Sequence, residues 1–152
     1  MPDTVWVVAG YFGLAVLSAV VPWFNAEVVM LSAVPLAASP LQLGLLVGAV
    51  TAGQMTGKAT MYWIARRSHP ARLQPFLDRW GTRLESRPAT ALGVTFISST
   101  VGFPPFYLVS MAAGALRVTF GGFLAVGTAG RLLHFGLDES LDRTTIARWM
   151  AR

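Results

Sequence analysis

Seven polar side chains stand in otherwise apolar sequence and could do chemistry: Asn25, Glu27, Gln54, Lys58, Tyr107, Arg131 and His134. Arginine offers a planar fork that holds two oxygens and stays charged, so Arg131, with Lys58, suits a phosphate headgroup. Gln54, Asn25, Tyr107 and His134 complete the expected substrate-binding set. Glu27 is the one carboxylate between Asp3 and Lys58. An ionised acid at the centre of a bilayer costs about 2.5–3.5 kcal/mol on insertion scales, which expects it to face a partner or a wet cavity. Its role would be that of a counter-ion or a proton carrier. A plainer reading makes Glu27–Arg131 a buried pair that fixes helix packing, with Lys58 and His134 reaching out to the surface.

Other chemistries lack their residues. There is no cysteine, which excludes disulfides, thiolate metal sites and cysteine nucleophiles. His69 and His134 are too far apart in sequence to form a recognisable metal motif, and no metal or cofactor is expected. Ser98, Ser99 and Thr100 lie together, but the nearest histidine in sequence is His69, and neither G-x-S-x-G nor H-E-x-x-H occurs. Arg131-x-x-His134 lacks the companion motifs of a phosphatase. The chain is therefore not expected to be an enzyme.

The elements that position these residues are read from an unusual composition. The chain has 152 residues, 54% of them hydrophobic and 12% charged, with a mean hydropathy of +0.56. Soluble domains carry about 25% charged residues, so a single integral-membrane domain is expected. The net charge of +5 is concentrated between Arg66 and Arg87, a topology signal and anionic-lipid contact rather than a nucleic-acid footprint.

In chain order, residues 5–38 are expected as a re-entrant hairpin, with Val5–Val21 entering, Pro22–Ala26 turning and Glu27–Ala38 returning. Ser39-Pro40 reads as an N-cap followed by proline at the first helical position, opening a transmembrane helix over 41–65. Its Gly44-x-x-x-Gly48 and Gly53-x-x-x-Gly57 spacings predict close helix packing, or else a substrate path. Residues 66–88 form a basic segment in which Leu73, Phe76, Leu77, Trp80 and Leu84 share one helical face flanked by Arg72, Arg79 and Arg83, an interfacial amphipathic helix on the cytoplasmic side. Residues 89–116, broken by Gly102-Phe103-Pro104-Pro105, form a second hairpin. A transmembrane helix over 119–137 and a surface tail over 138–152 complete the chain.

Leu41–Gln54 aligns without a gap on Val118–Arg131, sharing Gly44/Gly121 and T-A-G at 51–53 and 128–130. With the basic segment between them, the halves are expected as an inverted repeat, a transporter architecture. The fold class expected is thus all-α integral membrane: an inverted repeat of re-entrant hairpin plus transmembrane helix, with an interfacial amphipathic helix between the halves.

L-S-A-V-V-P-W-F-N-A-E-V-V-M at 17–30, G-Q-M-T-G at 53–57, S-M-A-A-G-A-L-R at 110–117 and G-T-A-G-R-L-L-H-F at 127–135 resemble the DedA/VTT-domain (SNARE-associated) membrane protein family, in its short YqaA-like branch. The second turn, V-G-F-P-P-F-Y, lacks the arginine that many members carry there. The resemblance implies two facing hairpins and movement of a polyprenyl phosphate or another anionic lipid between leaflets, a flippase-like activity. It places Glu27 at the acidic position after the first turn and Arg131 at a basic position of the last helix. A non-transporting membrane assembly or scaffold protein is the alternative. The partners expected are the anionic lipid (polyprenyl phosphate or phospholipid), the bilayer and a second copy of the chain in a homodimer, with no nucleic acid. The location expected is the cell membrane, as a multi-pass protein.

Overall fold

Local chemistry sets where the helices begin and end. The Gln42 amide donates to Ser39 Oγ at 3.2 Å and Pro40 needs no donor, so a long helix starts there. Gly102 takes the left-handed conformation (φ +81°) that closes the helix before it, its amide donating to Ser98 O. The computed structural model describes residues 2–21, 26–68, 71, 74–85 and 87–150, with side chains described at 4–21, 27–68, 71, 74–75, 77–79, 81 and 87–137.

The architecture is all-α. The helices are α1 (Pro2–Val20), α2 (Ala26–Ala33, followed by a 3-10 turn at Val34–Leu36), α3 (Pro40–Ser68), α4 (Gln74–Glu85), α5 (Pro88–Val101), α6 (Phe106–Ala115) and α7 (Phe120–Met150). α3 is the spine: α1 and α6 pack along it, α7 crosses it, and α5 lies along α7.

Small residues make these approaches close. A Cβ on Gly53 would land on Phe12 O and Ala15 Cβ, and one on Gly57 on Ala19 Cβ, so a Gly-x-x-x-Gly face of α3 meets an Ala-x-x-x-Ala face of α1. Gly44 and Gly48 face open space and take no part in packing. Gly130 of the second T-A-G seats α7 against Ser99 and Thr100 of α5, as Gly53 of the first seats α3 against α1. Gly114 brings α6 onto the backbone of Tyr62. The core then falls into two apolar clusters. One joins Ala15, Val29, Met30, Leu43, Val50 and Phe135; the other joins Met55, Tyr62, Phe106, Val109, Ala113 and Phe123.

The expected integral-membrane inverted repeat, and the multi-pass location with it, is corrected by the helices themselves. Among the described residues no helix is long and apolar enough to cross a membrane. α1 opens on Pro2-Asp3-Thr4, and its apolar remainder rises only about 24 Å at 1.5 Å per residue, against a hydrocarbon core of about 30 Å. α3 and α7 are 29 and 31 residues long, but Gln42, Gln54 and Lys58 interrupt the first, and Arg131 and His134 the second. α2, α5 and α6 are 8, 14 and 10 residues, too short by length alone. The transmembrane reading of 41–65 and 119–137 and the re-entrant reading of the two hairpins lose their basis accordingly.

Other boundaries also differ from expectation. α3 continues to Ser68, and α7 runs on as one helix to Met150, through the stretch expected as a separate tail. In the basic segment α4 is helical and Leu77 packs beside Ala65 and Ala112. The side chains of Arg72, Leu73, Phe76, Trp80, Arg83 and Leu84 lie outside the described residues. Large apolar side chains stand exposed on several helices, among them Trp6, Leu41, Ile97 and Val101.

Candidate functional site

Gln54 and Lys58 each follow one of the packing glycines of α3, and that register decides what they touch. Gly53 lies against Ala15 and Gly57 against Ala19, so the next residue in each case reaches a carbonyl of α1. Gln54 Nε2 donates to Ala15 O at 3.1 Å and makes a short contact with Ser18 Oγ. Lys58 Nζ donates to Ala19 O at 2.8 Å. Ala19 is in the last turn of α1, where carbonyls lack intrahelical donors and the helix dipole favours a cation. Lys58 therefore caps α1 from a neighbouring helix.

Arg131 comes from the opposite side. On α7 it lies between Phe123 of one apolar cluster and Phe135 of the other, as Gln54 on α3 lies between Val50 and Met55. Gln54 and Arg131 thus stand at the seam between the two clusters, and Lys58 follows one turn on, beside Met55 and Tyr62 of the second. Lys58 and Arg131 are 6% and 8% exposed. Both lie over Phe106, with Nζ 5.9 Å and the guanidinium carbon 5.2 Å from the ring centroid, and Phe135 is 5.8 Å from the same guanidinium carbon. Aromatic faces attract cations, which offsets part of the desolvation.

Burial dominates the electrostatics of the two cations. Burial first, and the charge of Arg131 second, push Lys58 down to about 7. Burial likewise pushes Arg131 down to about 10, opposed by the charge of Glu27. Glu27 is half exposed, and its Oε1 lies 3.6 Å from His134 Nε2. Arg131 Nε is buried without a hydrogen-bond partner, and so is Thr51 Oγ1, about one turn before Gln54 on α3. Buried donors are nearly always satisfied, so an orphaned guanidinium nitrogen marks a place where an acceptor belongs.

Of the seven residues expected in the site, five are placed in or beside this cluster: Gln54, Lys58, Arg131, His134 and Glu27. Lys58 and Arg131 point inward, against the reading in which Lys58 reaches out. Tyr107 is partly buried on α6, and no described contact joins it to the cluster. Asn25 lies outside the described residues, as does His69. Sequence reasoning missed Ser18, Phe106 and Phe135; only Phe135 carried a signal, four residues after Arg131 and so on the same helical face. The hydroxyls of Ser98, Ser99 and Thr100 donate to the backbone carbonyls of Pro104, Phe96 and Phe96. Among the described residues no group of His, Cys, Asp and Glu could hold a metal ion.

No family model, curated protein or solved structure matches the chain. Without such a match, and with no described helix able to cross a bilayer, the resemblance to the DedA/VTT family is not sustained. The lipid-transport and membrane-scaffold readings fall with it, as do the expected lipid and bilayer partners, which rested on membrane-crossing helices.

Proposed function

We propose that the chain is a binding protein for a small oxyanion, a carboxylate or a phosphate, received by Arg131 with Lys58. The observation that carries this reading is the buried Arg131 Nε without an acceptor, beside a second buried cation. A guanidinium fork pairs with two oxygens of either anion, and the low local dielectric strengthens each bond. Glu27, whose charge acts on Arg131, is the internal counter-ion that the oxyanion replaces. Gln54 holds α1 in register through Ala15 O and positions the cluster without touching the ligand. The reading assigns binding; the hydroxyls of Ser98, Ser99 and Thr100 are committed to backbone carbonyls and take no part in it.

The test is calorimetric titration of the purified chain with inorganic phosphate, sulfate and pyruvate at constant ionic strength. Saturable binding of at least one is expected, weakened about 10- to 100-fold in Arg131→Gln, the equivalent of one lost charge-assisted hydrogen bond of about 1.5–3 kcal/mol. Absence of saturable binding of all three anions, or binding unchanged in a folded Arg131→Gln, would overturn the reading.

A further inference from the structure

Of the chain's 12 lysines and arginines, Lys58 is the single lysine. Arginine fills every other basic position, and the one amine-bearing side chain is the one sealed inside the fold, 6% exposed. The contacts of Lys58 do not require an amine. A carbonyl acceptor and an aromatic face receive a guanidinium as readily as an ammonium, and a guanidinium keeps its charge through any ordinary pH. What a lysine alone offers here is a nitrogen that can shed its proton and present a lone pair.

Burial and the neighbouring guanidinium favour that state and outweigh the pull of the α1 carbonyl and the Phe106 face on the cation. Lys58 has no described carboxylate partner; its one described hydrogen bond is to a backbone carbonyl, and its charged neighbour is Arg131. A lysine that is desolvated and set next to another cation is the arrangement that activates an amine as a nucleophile. Held near 7 by burial and by Arg131, Lys58 is substantially neutral at neutral pH, whereas an ordinary lysine is almost wholly protonated. Arg131 meanwhile stays charged and carries the unpartnered Nε. Both groups lie within 6 Å of the centroid of one ring, Phe106, and the charge of Arg131 acts directly on Lys58.

We propose that Lys58 captures a carbonyl: it forms an imine with the 2-oxo group of a small 2-oxo acid whose carboxylate is held by Arg131. The proposal rests on the oxyanion reading above and names the class of anion. The amine lone pair adds to the carbonyl carbon, and the C=O electron pair moves to oxygen, which takes a proton. The carbinolamine then expels that oxygen as the C=N bond forms. Both amine hydrogens leave with it as one water, so the step needs no oxidant or reductant. Phe106 supplies an apolar wall beside the new bond, and Thr51 Oγ1, buried and unpartnered on the same face of α3 as Lys58, is a further donor in this seam.

The experiment is reductive trapping. The full chain is incubated at pH 7.5 with pyruvate and cyanoborohydride, or with acetone and cyanoborohydride, then digested and mapped by mass spectrometry. With one lysine, the α-amino group is the only competing amine and serves as the internal reference. Pyruvate is expected to label Lys58 at least about 10-fold faster than acetone does, each normalised to the α-amino group, for the loss of one charge-assisted contact. Saturating inorganic phosphate should slow pyruvate labelling of Lys58 and leave the α-amino group unaffected, a control that needs no variant. In a folded Arg131→Gln chain the preference for pyruvate over acetone should vanish, and Lys58→Arg should leave only the α-amino label. Lys58 unlabelled while the α-amino group reacts, or labelled equally by pyruvate and acetone, would overturn the proposal. If phosphate and pyruvate still bind by calorimetry in that case, the oxyanion reading survives alone; if they do not bind either, both fail.

Discussion

Lys58 ties the chemistry of the seam to the stability of the fold. In the unfolded chain its ammonium titrates near 10.5, in the folded one near 7. Below 7 both states hold the proton, and the buried charge weakens the fold in full. Between 7 and 10.5 the unfolded chain binds the extra proton, so stability rises with pH across that window, and above it the gain is complete. The denaturation midpoint of the wild-type chain is therefore expected to climb from pH 7 to pH 9.5 relative to that of Lys58→Met. Parallel curves for the two proteins, followed by urea unfolding, would contradict the burial of a titrating lysine. The polar members of the site were legible in the sequence because a charge or amide in an apolar run has to be explained. Phe106 was not, since a phenylalanine among apolar residues carries no mark of the cation above it. Thr51 was equally silent: its orphaned hydroxyl is a property of packing, and threonine in a helix ordinarily bonds back to its own turn, as Thr56 and Thr60 do here.

At the scale of elements, the two Gly-x-x-x-Gly spacings of α3 look alike in sequence and differ entirely in the fold. An alanine at Gly57 would press its Cβ into Ala19 and is expected to destabilise by about 1–3 kcal/mol, as overpacking does. It should also pull Lys58 off Ala19 O, since the same register sets both contacts. Gly44→Ala meets open space and should stabilise by about 0.5–1 kcal/mol through helix propensity alone. Thermal or urea denaturation of the two variants checks the opposite signs. Helix ends were readable where a local residue dictates them, at Ser39-Pro40 and at Gly102-Phe103-Pro104-Pro105. Which glycines meet a neighbour could not be read, because that depends on where α1 comes to lie along α3.

For the whole molecule, the sequence misled through its average. A composition of 54% hydrophobic and 12% charged residues suggests membrane spans, but the apolar residues are divided among short helices and among long ones that carry Gln54, Lys58, Arg131 and His134. Periodicity and caps report where a helix is; they do not report whether its inward face holds a charge, and here the inward faces of α3 and α7 do. The solitary lysine has one more consequence, for digestion of the native protein. Trypsin cleaves after lysine and arginine, and before Arg66 the chain offers it one bond, after Lys58. That bond lies inside α3, with its side chain buried against α1, whereas Arg67 at the end of the helix is exposed. Brief proteolysis of the folded chain should therefore release the N-terminal part as a single fragment ending at Arg66 or Arg67. A cut after Lys58 should appear only as fast as α1 parts from α3, which makes its rate a measure of that opening. Early cleavage after Lys58 under native conditions would show that the α1–α3 contact is loose.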